Sequence, residues 1–356
     1  MRSFVGWLRR LSSFCDLGAN WEAIEIKKVL IICTVGDTVG WGHFSRSKAL
    51  SEHLDGSLKY NTVMLVQAQS PRAIQDYGSS GSFVWVSSTS QLVAQAESYL
   101  GEDIARVIID HPTLSDGAVK DLVSHFGPLV FFFSIHRRYL DPSMVHKLIV
   151  PRLRCPASIK FPANKLVFGL RYTPLRLNFY RLKAVESISD EFDLPGLFIC
   201  MGGGNQVAKI SRVIESLELL GYAKPIVIVV SKSSAEFERL VSMTHCTIRI
   251  VEDPSEIEII QLIDHADIGL VSAGTVAQEC FSRGLICGVS EVAEDQAGLS
   301  WIFEQAGLAI AVDVNHPESI SRLTSITTER RRLISDNLKK VDYQSGISEL
   351  INFINE

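Results

Sequence analysis

From Lys28 onward the chain alternates short runs of consecutive apolar residues with longer stretches in which apolar positions recur at helical spacing. KVLIICT (28–34), TVMLVQ (62–67), FVWVS (83–87), ARVIID (105–110), PLVFFF (128–133), KLIV (147–150) and KLVFG (165–169) are short, rich in β-branched residues and flanked by turn formers, which predicts strands. Between them, 43–54, 71–78, 89–100 and 115–126 read as helices. A polar, charged stretch over 181–195 then ends in Leu194-Pro195-Gly196, and the pattern restarts. LFICM (197–201), PIVIVV (225–230), TIRIV (247–251), DIGLVS (267–272), LICGVS (285–290) and LAIAVD (308–313) form a second set of strands, with helices expected near 206–221, 233–244, 255–265, 274–283 and 294–306. Strands this continuously apolar belong to parallel sheets covered by helices on both faces. Two such sets in tandem predict an α/β protein of two doubly wound, Rossmann-type domains facing a cleft, over residues 28–180 and 181–356, the latter with the C-terminal helices.

Residues 1–27 precede this pattern as an extension. In residues 1–14, Phe4, Val5, Trp7, Leu8, Leu11 and Phe14 lie among Arg2, Arg9 and Arg10, an amphipathic spacing for a short helix with a basic face. Such a helix either rests weakly on a membrane surface or packs on the body. Arg9 and Arg10 interrupt any signal-peptide core.

Composition narrows the function classes. The 356 residues are 46% hydrophobic, enough for sizeable cores, and 35 Lys+Arg against 40 Asp+Glu gives a net charge of −5. No basic excess points to nucleic acid, so an anionic ligand has to be held by local geometry. The 7 cysteines are scattered, several inside apolar runs, which is the usage of reduced core thiols in a cytosolic protein. No apolar run is long enough to span a membrane.

Open parallel sheets bind ligands beyond the carboxyl ends of their strands, and four such loops carry chemistry. The first, after KVLIICT, contains Gly40-Trp41-Gly42-His43-Phe44-Ser45-Arg46. Its glycines allow close backbone approach, but it completes neither the dinucleotide fingerprint nor a Walker loop. His43 falls in the first turn of the next helix. There it serves as a neutral base, kept so by the helix dipole, or as a cap on its own helix. The second loop is Asp110-His111-Pro112, where Asp110 is an acid/base partner or a cap for the next helix or turn. The third, Met201-Gly202-Gly203-Gly204-Asn205, removes every side chain in front of backbone amides that suit a phosphate. The fourth, Ser272-Ala273-Gly274-Thr275, opens a helix on which Glu279 lies about one turn further along, placed for ribose hydroxyls if a diphosphate sits on the amides. A plain turn and a solvated helix residue are the competing explanations for these two loops.

GWGHFSRS, IIDH, GLRYTPLR, MGGGN and SAGTVAQECFSRGLICGVSEVAEDQ, in that order, resemble the nucleotide-sugar hydrolases of pseudaminic acid biosynthesis, which belong to the GT-B glycosyltransferase superfamily. The resemblance spans about 30–305, and the region 272–296 also looks like the donor-binding stretch of the UDP-GlcNAc transferase that makes lipid II. It implies a GT-B-like fold, a UDP-sugar substrate and no cofactor. It further implies that His43 activates the attacking water, that the glycines at 202–204 lie near the diphosphate, and that Glu279 and Gln296 lie near ribose, sugar or phosphate. Gly40, Gly42, Arg46, Asn205, Ser272, Gly274 and Thr275 complete the expected nucleotide-sugar site. The chain departs from the family where His111-Pro112 replaces a tyrosine and Gln278 replaces an aromatic residue. No Asp-x-Asp comes after a strand and the 9 histidines fall in no ligand spacing, so a metal-independent reaction is expected. Hydrolysis of a UDP-(amino/deoxy)sugar is the leading expectation. Transfer of the sugar to an alcohol, or nucleotide-sugar binding without turnover, are the alternatives.

Overall fold

The computed structural model describes residues 26–36, 41–57, 59–68, 83–132, 140–155, 159–181, 196–202, 206–230, 241–242 and 244–356. The amphipathic segment 1–14, the predicted helix over 71–78 and most of that over 233–244 lie outside them.

The first apolar runs form β1 (Lys27–Val35), β2 (Tyr60–Ala68), β3 (Phe83–Val86), β4 (Ile104–Asp110), β5 (Leu129–Phe132), β6 (Val145–Val150) and β7 (Leu166–Phe168). They make one seven-stranded sheet in the order β3-β2-β1-β4-β5-β6-β7, with every pair parallel. Alternate residues of β1 enter two separate cores. Val29, Ile31, Cys33 and Val35 pack with Phe44, Leu50 and Leu54 of α1 (Gly42–Gly56). Leu30 and Ile32 pack with Leu92 of α2 (Thr89–Glu97) and Leu122 of α3 (Asp116–Phe126). Burial on both faces is why the strand reads as an unbroken apolar run rather than an alternation.

The second set repeats the design. It comprises β8 (Leu197–Cys200), β9 (Ile226–Val230), β10 (Ile248–Glu252), β11 (Ile268–Ser272), β12 (Cys287–Ser290) and β13 (Ile310–Ala311), in the parallel order β10-β9-β8-β11-β12-β13. Helices α5 (Val207–Leu219), α6 (Glu256–His265) and α7 (Thr275–Ser282) come after β8, β10 and β11; the short α4 (Asn178–Arg181) lies before β8. The single helix expected over 294–306 is interrupted. Gly298 adopts a left-handed φ of 76°, separating a 3-10 turn at Glu294–Gln296 from α8 (Leu299–Gln305). The chain ends with α9 (Pro317–Thr324), α10 (Thr328–Leu338) and α11 (Tyr343–Asn355).

Two segments join the halves. In the crossover between β7 and α4, Tyr172 belongs to the first core, whereas Leu170, Leu175 and Phe179 enter the second. Helix α11 starts with Tyr343 in the second core, but Ile347, Leu350 and Ile354 pack on the first sheet. Arg106 of β4 donates to the carbonyls of Ile354 and Asn355. Sequence order places the last helix with residues 181–356; its packing returns it to the first domain.

The two segments cross in contact. Arg171 Nη2 and Tyr172 Oη both donate to Glu349 Oε2, at 2.6 and 2.9 Å. A methyl group at Gly346 would overlap the carbonyl of Arg171. Backbone cannot swing aside as a side chain does, so Gly346→Ala is expected to lower stability by about 1–3 kcal/mol. That loss exceeds the roughly 1 kcal/mol that alanine gains inside a helix. Denaturant unfolding checks it; a midpoint at or above the parent's would show that the crossing tolerates a side chain.

Candidate active site

The strand orders give the four loops a common address. In the first sheet the winding direction reverses between β1 and β4, and in the second between β8 and β11. Ligands of doubly wound sheets bind at such switch points. The loop carrying His43 leaves β1, Asp110 ends β4, Gly202 comes after β8 and Gly274 after β11.

In the first domain, three candidate residues form one buried cluster. His43 Nδ1 lies 2.7 Å from Asp110 Oδ1, and Arg46 reaches the same carboxylate with Nε at 2.8 Å from Oδ2 and Nη2 at 2.6 Å from Oδ1. Ser47 Oγ adds a longer contact to Oδ2 at 3.4 Å. Helical spacing brings His43, Arg46 and Ser47 over one point, and β4 supplies the acid there. Burial pushes the Asp110 carboxyl up, but the charges and hydrogen bonds of Arg46 and His43 outweigh it and hold it well below the usual carboxylate range. An ionised carboxylate only accepts, so when the ring is neutral His43 Nδ1 carries the proton and Nε2 is the acceptor. Arg46 Nη2 also lies 3.3 Å from Nδ1, a contact that would need the opposite tautomer. The shorter, charge-assisted bond to Asp110 decides the assignment.

This arrangement resolves the capping alternatives. Helix α1 is preceded by Trp41 with no side-chain cap, so His43 is not its own helix's cap. Helix α3 is capped by Ser115, whose side chain accepts from Ala118, so Asp110 does not cap it. Asp110, expected as a catalytic residue, has a side chain only 2% exposed and is hydrogen-bonded to His43. Arg46, expected in the nucleotide-sugar site, is engaged two-toothed with Asp110, its guanidinium 5.0 Å above the Phe132 ring. His111 is buried, with Nε2 at 3.0 Å from Gln67 Oε1.

In the second domain, Gly202 and Ser272 are neighbours: a methyl on Gly202, whose φ is 80°, would stand 3.2 Å from Ser272 Oγ. Gln296 covers the next loop, its Nε2 being 3.2 Å from where a Gly274 methyl would lie, while its Oε1 accepts from the Val292 amide at 3.0 Å. Helix α7 starts at Thr275 with no side-chain cap. Its amino end meets that of α1, for a methyl on Gly42 would lie 3.8 Å from Thr275 Oγ1. Two helix amino ends from different domains thus face one space, which favours negative charge there. Gly40, Gly203, Gly204 and Asn205 lie outside the described residues.

Glu279 is buried, yet its carboxylate is met by Arg176 of the crossover, with Nε at 2.7 Å from Oε1 and Nη2 at 2.9 Å from Oε2. The GLRYTPLR run is conspicuous in the sequence, but it assigns this arginine no role. Its partner is 103 residues away, and nothing local to residue 176 announces the pairing. Among the described residues no three His, Cys, Asp or Glu side chains are gathered as a metal site, and no helix is long and apolar enough to cross a membrane.

No family description matches the chain, and no curated protein matches it in sequence. Solved structures do. The glycotransferase of kitacinnamycin superposes with a TM-score of 0.60 over 93% of this chain and 100% of its own, at 13% identity. MurG of Acinetobacter baumannii gives 0.60 over 92% and 99%, at 12% identity. The chain has the GT-B fold. The S. aureus MnaA–UDP complex gives 0.65 over 92% of this chain and 95% of that one, again at 12% identity. At these identities the likeness establishes architecture alone.

Proposed function

We propose that this GT-B protein is a UDP-sugar hydrolase that breaks the bond between the anomeric carbon and the diphosphate. The observation that carries the proposal is the Arg46–Asp110–His43 relay, placed where the amino ends of α1 and α7 converge. A relay held this firmly leaves one group for chemistry, the Nε2 lone pair of His43. An imidazole oriented by a buried carboxylate suits a general base, which ligand binding alone does not require. Neighbours in fold include MnaA solved with UDP and the UDP-GlcNAc 2-epimerase of Neisseria meningitidis solved with UDP-GlcNAc, which supports the same ligand class.

In the proposed reaction, His43 Nε2 takes a proton from water as the oxygen attacks the anomeric carbon. The bond from that carbon to the diphosphate oxygen breaks, and UDP leaves with the electron pair. Charge growing on the diphosphate meets the amides after Ser272 and the dipole of α7. Asp110 stabilises the imidazolium formed in the same step. Gly202 with the next two glycines, Ser272, Gly274, Thr275 and Gln296 would surround the diphosphate and sugar, and Glu279 the ribose. Hydrolysis rather than transfer, and an amino/deoxy sugar of the pseudaminic acid type, rest on the sequence resemblance.

The test is UDP release from a panel of UDP- and other nucleotide-sugars, with and without alcohol acceptors. Release from a UDP-sugar in the absence of acceptor is the expected result. Release that requires an acceptor would make the chain a transferase, and release from no nucleotide-sugar would overturn the proposal.

A further inference from the structure

The proposed reaction gives the GLRYTPLR run no role, yet its residues reach both halves of the site. Thr173 Oγ1 donates to Gln278 Oε1, and Arg176 grips Glu279, so consecutive residues of α7 are held by the crossover. On the other side His53, in the helix that carries His43, meets the Leu175 carbonyl with Nε2 at 3.1 Å. Tyr180 fixes the loop between them: its hydroxyl accepts from the Leu175 amide at 3.2 Å and donates to the Thr173 carbonyl at 3.4 Å, and its ring packs edge-on to His53 at 4.8 Å. The Arg176 guanidinium lies 5.0 Å above the ring of Phe179, itself in the second core.

We propose that Arg176 is a positioning residue for nucleotide recognition: it orients the Glu279 carboxylate toward the ribose hydroxyls of the uridine nucleotide. The inference rests on the reading of Glu279 as the ribose acceptor. A carboxylate offers about four lone-pair sites. Arg176 occupies one on each oxygen, so each oxygen keeps a site for a hydroxyl donor. Without the arginine the carboxylate is free to rotate about its last torsion, and a buried, unpaired charge is costly enough to recruit water or turn to another donor. Either change spoils a two-point contact with a diol. Lysine does not substitute, because a single ammonium cannot hold both oxygens in one plane.

The experiment is calorimetric titration of the parent chain, Arg176→Ala, Arg176→Lys and Glu279→Gln with UDP and with 2′-deoxy-UDP, alongside thermal melting. The parent is expected to prefer UDP by about tenfold or more, as for a hydrogen bond to a charged group. Glu279→Gln should remove most of that preference. Both arginine variants should also lose it, through weaker UDP binding with little change for 2′-deoxy-UDP. A residue that merely held the domains together would instead weaken both ligands equally and lower the melting temperature. If Arg176→Ala fails to fold, Arg176→Lys, which keeps a cation opposite Glu279, decides the matter. Retained preference in the folded arginine variants, with loss in Glu279→Gln, overturns the positioning role and leaves the ribose reading standing. A parent without preference for UDP overturns the ribose reading itself.

Discussion

Replacing His43 with asparagine lowers UDP-sugar turnover by about 10²–10⁴-fold, the usual contribution of a general base. Affinity for the UDP-sugar is expected to stay close to the parent's, because a base that receives its proton as the bond breaks acts in the transition state and hardly at all in the ground state. Asparagine is the informative choice. Its amide can donate to Asp110 Oδ1, where His43 Nδ1 now stands at 2.7 Å, so the buried carboxylate keeps its hydrogen bonds and Arg46 its partner. What asparagine cannot do is present a basic nitrogen on the far side of the ring position. Initial rates across substrate concentration, with calorimetry for UDP, separate the two parameters. Turnover near the parent's would reduce His43 to a positioning residue. Asp110 could not then inherit the role, being enclosed by Arg46 and Ser47 away from solvent.

The strands were legible because those in the middle of each sheet are covered on both faces, which writes a continuous apolar run into the sequence. Their ends were therefore legible too, and with them the addresses of His43, Asp110, Gly202 and Gly274. Strand order was not. It is decided by which helix packs on which face, and a single sequence does not record it. The consequence was local: His43 and Asp110 were each visible as candidates, but 67 residues separate them, and only the adjacency of β1 and β4 makes them partners. The resemblance placed Arg46 in the nucleotide-sugar site, and its pairing with Asp110, 64 residues away, is equally invisible in the sequence. Glu279 was legible as an acid one turn into a helix, while its partner Arg176 comes from a segment whose role is to cross between domains. The packing of helix α11 was hidden for a related reason. Its apolar face, Ile347, Leu350 and Ile354, is plain in the sequence, but a face does not say which sheet it covers.

Asp110→Asn is expected to be the more damaging change, because one carboxylate serves both chemistry and folding. As chemistry, the amide has one acceptor oxygen where four donors now converge: Arg46 Nε, Arg46 Nη2, His43 Nδ1 and, at 3.4 Å, Ser47 Oγ. If the oxygen turns to Arg46, the amide NH₂ faces Nδ1 and selects the tautomer with its proton on Nε2, which cannot accept one from water. Loss of the orienting carboxylate in such a relay costs on the order of 10⁴-fold in turnover. As folding, Arg46 loses its counter-charge at a largely buried position, and removing one partner of a buried pair costs about 3–5 kcal/mol. The pH dependence separates this from a generic packing defect. The folded-state pKa of Asp110 is depressed below that of the unfolded chain, so its stabilising effect is fully present above the unfolded value of about 4 and is lost as pH falls toward the folded one. Asparagine does not titrate. The part of the stability gap that belongs to this carboxylate should therefore be lost below about pH 4, as the parent takes up the proton. Denaturant unfolding of both proteins at pH 7, 5 and 3.5 measures it. A gap that stays constant through the acid range would mean that the carboxylate is not held ionised by Arg46 and His43, and a variant with parental turnover would show that His43 does not depend on it for its tautomer.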